Sequence, residues 1–305
     1  MIERMYPIQK ASRSEFVPIR HLQYHVRQWG TPAANKTPLV MVHGWMDVAA
    51  SFQFVVDALQ HDAWIIAPDW RGFGLTETPQ ADNYWFPDYL ADLDQLLDHY
   101  VPNQPVNLIG HSMGGHIATL YAGVRPERTS KLINLEGFGM PTSRPTQAPT
   151  RYAKWMDELK ALQRGEMDLK PYSSLEGVAQ RLMKTNPRLS EDKAHWLAQH
   201  WAQPNEHGEW LILGHAAHKV INAQLFKVDE VLAVYERIAA PTLCVVAGTD
   251  SLSQWWKDRY TLAEFMQRIA SVPNIQHAQL ADTGHMLHHD QPEALARLIE
   301  KFLDL

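Results

Sequence analysis

The chain has 305 residues, 45% hydrophobic and 20% charged, with a net charge of −6. That balance excludes disorder, collagen-like sequence and coiled coil, and the acidic charge excludes the basic footprint of a nucleic-acid binder. A single cysteine, Cys244, excludes an intrachain disulfide framework and a cysteine-held metal cluster. At roughly 100–200 residues per domain, the length fits one large domain or two small ones. The N-terminus, Met1 to Pro7, has no apolar stretch of signal-peptide length, and no segment approaches roughly 18 uninterrupted apolar residues. The C-terminus carries no lipidation signal. A cytoplasmic protein without a membrane span is expected.

The first elements are two alternating runs, Phe16 to Arg20 and Leu22 to Trp29, which predict an antiparallel hairpin at a sheet edge. Pro38 to Val42 is a continuous apolar run of the kind that forms a strand buried on both faces. Ala63 to Ala67 is the next strand, Tyr84 to Tyr100 has helical periodicity, and Val106 to Ile109 is a strand ending at Gly110-His111. Met113 to Val124 is a helix of small residues, and Lys131 to Leu135 another strand. Strands alternating with helices predict an α/β fold with a mostly parallel central sheet and helices on both faces. The alternation stops near Met140, and three prolines between Pro141 and Pro149 mark a loop that leaves the sheet. Residues 141–239 read as a mainly helical insertion. The core resumes with a strand from Pro241 to Val246, a helix from Leu262 to Ile269, a strand from Gln276 to Leu280 and a last helix from Pro292. Residues 1–140 and 240–305 thus form the core, and 141–239 an inserted cap.

The strongest chemical signal is Gly110-His111-Ser112-Met113-Gly114, a G-x-S-x-G pattern between a predicted strand and a predicted helix. A sharp strand-to-helix turn forces the serine into a strained conformation and exposes its hydroxyl. Small residues flank it because neighbouring backbone comes close. The helix N-terminus behind it favours developing negative charge. With Gly115, Ala118 and Ala122 following on the helix, the pattern predicts a nucleophilic Ser112.

At this point the sequence resembles the α/β-hydrolase fold family, over about residues 15–140 and 240–305, with the insertion in the place of that family's cap. His43-Gly44-Trp45 follows the first buried strand, where the family has its oxyanion loop. Asp69-Trp70-Arg71-Gly72-Phe73-Gly74 resembles the family's D-x-R-G-x-G loop, and Gly284-His285 follows the last strand, where the family has its catalytic histidine. The resemblance implies Ser112 as nucleophile and His285 as the base that activates it. It implies an acid at Asp250, in Gly248-Thr249-Asp250 after the strand that begins near Pro241, with Glu136, at the end of the preceding strand, as the alternative. The oxyanion hole would use the backbone N–H groups of Trp45 and Met113. His288 and His289 do not follow a strand-end glycine and read as helix-start or surface residues, while His43 and His111 read as supports for the loops beside the site.

No metal site emerges from the histidine or carboxylate spacing, and Gly72-Phe73-Gly74 is too short for a dinucleotide fingerprint, so no cofactor is expected. Trp45, Trp155, Trp255 and Trp256 are candidates for an apolar substrate pocket between core and cap. The expected partner is a small-molecule ester or related acyl substrate. The expected reaction is hydrolysis of carboxylic esters of small or medium apolar substrates through an acyl-enzyme on Ser112, a carboxylesterase-like activity. Thioesterase, lactonase, imino- or aminopeptidase and acyltransferase activities would use the same residues and stay open, as does a non-catalytic binding role on this fold. A serine at the nucleophile position sets aside the haloalkane dehalogenases and epoxide hydrolases of this fold, which use an aspartate there.

Overall fold

The computed structural model describes residues 5–305; the first four residues of the N-terminal segment read above lie outside them. The chain begins with β1 (Arg13–Ile19), β2 (Leu22–Trp29), β3 (Leu39–Val42), α1 (Gln53–Ala58), β4 (Ile65–Pro68) and α2 (Pro87–Tyr100). It continues with β5 (Val106–His111), α3 (Met113–Val124) and β6 (Thr129–Leu135). The stretch that follows holds α4 (Ala148–Gln163), α5 (Leu175–Thr185), α6 (Glu191–Trp201), the short strands β7 (Ala202–Pro204) and β8 (Trp210–Ile212), and α7 (Val228–Tyr235). The last part is β9 (Thr242–Ala247), α8 (Ser251–Trp256), α9 (Leu262–Ile269), β10 (Ile275–Leu280), α10 (Leu287–Asp290) and α11 (Pro292–Leu303).

Eight strands form one sheet in the order β1-β2-β4-β3-β5-β6-β9-β10. The edge hairpin β1–β2 is antiparallel, β2 is antiparallel to β4, and every pairing from β4 onward is parallel. The sequence predicts this α/β class, and the reason lies in the strands themselves. Leu39 to Val42 and Ile65 to Pro68 are buried throughout, as strands covered on both faces must be. One face packs Val40, Val42, Leu108 and Leu132 against α2, α3 and α9 through Leu93, Ile117 and Phe265. The other packs Met41, Ile109, Ile133 and Val245 against α1 and α11 through Val55, Leu295 and Ile299. Parallel strands leave all their carboxyl ends at one edge, so the turns after β3, β5, β6, β9 and β10 emerge together there.

The stretch between β6 and β9 is mainly helical, with the small antiparallel pair β7–β8 added. Its α5 and α6 bury Val178, Leu182, Trp196 and Leu197 against Val48, Ala50 and Phe54 from the segment after β3. A bridge between Phe73 and Gly214 joins it to the loop after β4. Its last helix, α7, lies on α3 instead: a side chain at Gly123 would collide with the Val234 backbone. No helix among the described residues is long and apolar enough to cross a membrane.

Candidate active site

Ser112 joins β5 to α3 as the helix N-cap, with φ 52° and ψ −118°, a conformation that side-chain-bearing residues rarely adopt. The surroundings hold it there. Its N–H donates to the Leu135 carbonyl at 2.8 Å, and its carbonyl accepts from His116 N–H at 3.0 Å. A Cβ at Gly110 would collide with the Gly114 carbonyl, and one at Gly114 with the Val42 carbonyl, so the turn has room only for glycine on either side of the serine. Gly44, in the loop after β3, lies close by: a Cβ built on it would come within 3.0 Å of Ser112 Cβ. The chain segment bearing Trp45 therefore borders the serine on one side, while Met113 begins α3 on the other. His43 braces this loop, accepting from Trp70 N–H at 2.9 Å through Nε2 while its carbonyl accepts from the Trp70 indole N–H at 3.0 Å.

His285 lies after β10. Its carbonyl accepts from His111 Nε2 at 2.8 Å, which ties the histidine loop to the end of β5. Its Nδ1–H donates to Glu136 Oε2 at 3.2 Å. This bond assigns the proton to Nδ1 and leaves the Nε2 lone pair free to act as a base. Glu136 follows β6 with φ 56°. Asn134 supports the turn, its Oδ1 accepting from Gly137 N–H at 2.7 Å. The carboxylate is fully enclosed, and Oε1 accepts from Ala247 N–H at 2.7 Å. Burial pushes the Glu136 carboxyl up to about 7, with the charge of Asp250 adding to the rise. Burial also pushes His285 down, because it disfavours the imidazolium.

Asp250, the first choice for the acid on the sequence, occupies a different environment. It is exposed and N-caps α8: Oδ1 accepts from Ser253 N–H at 3.1 Å and Oδ2 from the Ser253 hydroxyl at 2.6 Å. Among the described residues, the carboxylate within ion-pair distance of His285 is Glu136, the alternative. As the N-cap of α8, Asp250 has a local partner in Ser253, three residues on, and spacing along the chain did not reveal that.

Of the four tryptophans, Trp255 stands edge-on to His285, ring centroids 4.2 Å apart, and is 46% exposed. Trp45 is 50% exposed beside Gly44. Trp256 packs against the main core with Arg259 over its ring. Trp155 lies on α4, its buried indole N–H without an acceptor. His288 and His289 are buried rather than on the surface, because α10 is wedged beneath Phe52 and Phe54. The sequence reading passed over Asp290, whose Oδ2 accepts from Gly284 N–H and Oδ1 from Asn186 Nδ2, both at 2.7 Å. One carboxylate thus joins the α5–α6 turn to the residue before His285. It also passed over Asp47, Ser51 and their contacts with His288 and His289, since neither residue belongs to a motif.

Comparison with known proteins bears on the family and the fold. A serine hydrolase-like protein of Danio rerio is 25% identical over 300 residues, covering 96% of this chain and 89% of the relative. A cis-3-alkyl-4-alkyloxetan-2-one decarboxylase of Shewanella oneidensis is 23% identical over 271 residues, covering 87% of this chain and 81% of that one. The thioesterase domain from the curacin biosynthetic pathway superposes with a TM-score of 0.81 at 25% identity, covering 95% of this chain and 99% of that one. A family model described as alpha/beta hydrolase fold matches residues 37–292. The nucleophile-type turn, the parallel sheet and this match together make the chain a member of the alpha/beta hydrolase fold family.

Proposed function

We propose that the protein is a serine hydrolase that cleaves carboxylic esters of apolar acyl substrates, with Ser112 as nucleophile, His285 as base and Glu136, in preference to Asp250, as the acid. The observation that carries this reading is the contact between His285 Nδ1 and Glu136 Oε2 behind a serine held at φ 52°. Ser112 Oγ attacks the substrate carbonyl carbon while His285 Nε2 takes the hydroxyl proton. Glu136 stabilises the imidazolium across 3.2 Å. The oxyanion falls to the N–H groups of Met113 and Trp45, and the helix N-terminus at Met113 favours the same charge. His285 returns the proton to the leaving alcohol, a water attacks the acyl-enzyme under the same base, and the acid departs.

The apolar class follows from what borders the nucleophile. Trp45, in the loop beside Ser112, and Trp255, in α8 edge-on to His285, are each about half exposed, and such rings recover free energy by covering an acyl chain. A thioester is the second reading. It requires the same steps, and the likeness to the curacin thioesterase domain favours it.

The test is hydrolysis of a p-nitrophenyl ester series and an acyl-thioester series of rising chain length, together with fluorophosphonate labelling. Wild type should label once and turn over acyl chains of at least medium length. Ser112→Ala should abolish labelling and lower kcat by about 10^4-fold or more. A folded wild type that neither labels nor turns over any member of either series would overturn the reading.

A further inference from the structure

Beneath the histidine loop lies a polar cluster that the proposed hydrolysis does not use. Asp47, His288 and His289 are all buried, and one ligand-type atom from each lies within 4.8 Å of the others. His288 Nε2 is 3.9 Å from Asp47 Oδ2. Ser51 Oγ borders the same point, 3.1 Å from His288 Nε2 and 2.5 Å from His289 Nε2. A hydroxyl has one proton and can donate to only one of the two rings. Asp47 Oδ1 accepts from the Trp201 indole N–H at 3.1 Å, but its Oδ2 is buried without a partner, and so is His288 Nδ1. An unpaired buried carboxylate oxygen is costly, and a cation among neutral imidazoles removes that cost. Two imidazoles and one carboxylate are a donor set for zinc and its neighbours in the first transition row.

We propose that Asp47, His288 and His289 bind a divalent transition-metal ion, represented here by Zn2+, with Ser51 Oγ or a water as the fourth ligand. Asp47 belongs to the segment after β3, three residues beyond Gly44, and His288 and His289 belong to α10, just after His285. The ion therefore pins together the two segments that border the candidate active site while taking no part in the reaction. The Zn2+ would accept one lone pair from each ring at Nε2 and neutralise Asp47 through its unpartnered Oδ2.

Because the site is enclosed, the full-length chain is best expressed with added Zn2+, desalted and assayed for metal by mass spectrometry. About one equivalent should remain, and Co2+ in its place should give the intense visible bands of a four-coordinate site. Asp47→Asn and His289→Gln should each lower retention about tenfold or more, with folding checked by circular dichroism, and the loaded wild type should melt above the metal-free protein. The exposed His99→Gln should leave retention unchanged. Retention below about a tenth of an equivalent with no change in melting overturns the proposal, as does an equivalent that survives both ligand substitutions. Should neither ligand variant fold, the wild-type Co2+ spectrum decides: weak six-coordinate bands refute the site.

Discussion

The turns after β6 and β9 each offer a carboxylate at the same edge of the sheet, and they treat it in opposite ways. Glu136 is buried, in a left-handed turn, with an amide N–H on one oxygen and His285 on the other. Asp250 is exposed and its two oxygens are taken by Ser253. Position after a strand is therefore not what selects the carboxylate that meets His285. A carboxylate becomes the histidine's partner when its turn points it inward and the protein withholds water from it, and an aspartate that caps the helix beginning beside it stays outside.

The largest expected effect separates the two directly. Glu136→Gln should lower kcat/KM by about 10^3- to 10^4-fold, because an amide cannot hold the proton of His285 on Nδ1 in the same way. Asp250→Asn should change kcat/KM less than about threefold. A reversal of that ranking on the best substrate of the ester series would return the acid to the turn after β9.

The pH profile sharpens the contrast. Glu136 is pushed up to about 7 by burial, so it ionises late, and kcat/KM should rise with pH through about 7 as it becomes able to accept from His285. That limb should be missing from the residual activity of Glu136→Gln. A limb that stays in place in the variant would assign it to another group.

Stability should move the other way. A carboxyl whose folded pKa is raised binds its proton more tightly folded than unfolded, so its contribution is present below the unfolded value, near 4.5, and is lost as pH rises through about 7. At pH 8 the wild type buries an anion there. Glu136→Gln should gain on the order of 2–3 kcal/mol at pH 8 and nearly nothing at pH 4, by denaturant melts at the two values. An equal gain at both would mean that the buried charge is not the cause. The smallest effect belongs to the exposed carboxylate: Asp250→Ala should cost about 0.5–1 kcal/mol through loss of the α8 cap. A loss several times larger would show that Asp250 supports more than its helix.

What the sequence revealed follows the same division between local and non-local causes. The strands of the parallel half are legible because each is an apolar run buried on both faces, and the turn at Ser112 is legible because its glycines answer collisions within a few residues. The choice between Glu136 and Asp250 is not, because it depends on where two loops point once β6 and β9 lie side by side, and nothing in a glutamate's identity announces φ 56°. His288 and His289 fail for a related reason. Polar residues on a four-residue helix look like surface until Phe52, Phe54 and Ser51 cover them from a segment more than two hundred residues earlier. Asp290 and Asn186 meet across 104 residues and carry no pattern at all.

The strand order has a consequence in time. β10 is the outermost strand on its side of the sheet and pairs only with β9. It also follows every other strand of the sheet along the chain, and His285 comes after it. A chain that has emerged through β9 already holds the proposed nucleophile and its proposed carboxylate on neighbouring strands, but not His285, the imidazole proposed to deprotonate the serine. On the proposed mechanism, reactivity is therefore withheld until β10 and the turn bearing His285 dock, so that a product truncated before His285 would be inert.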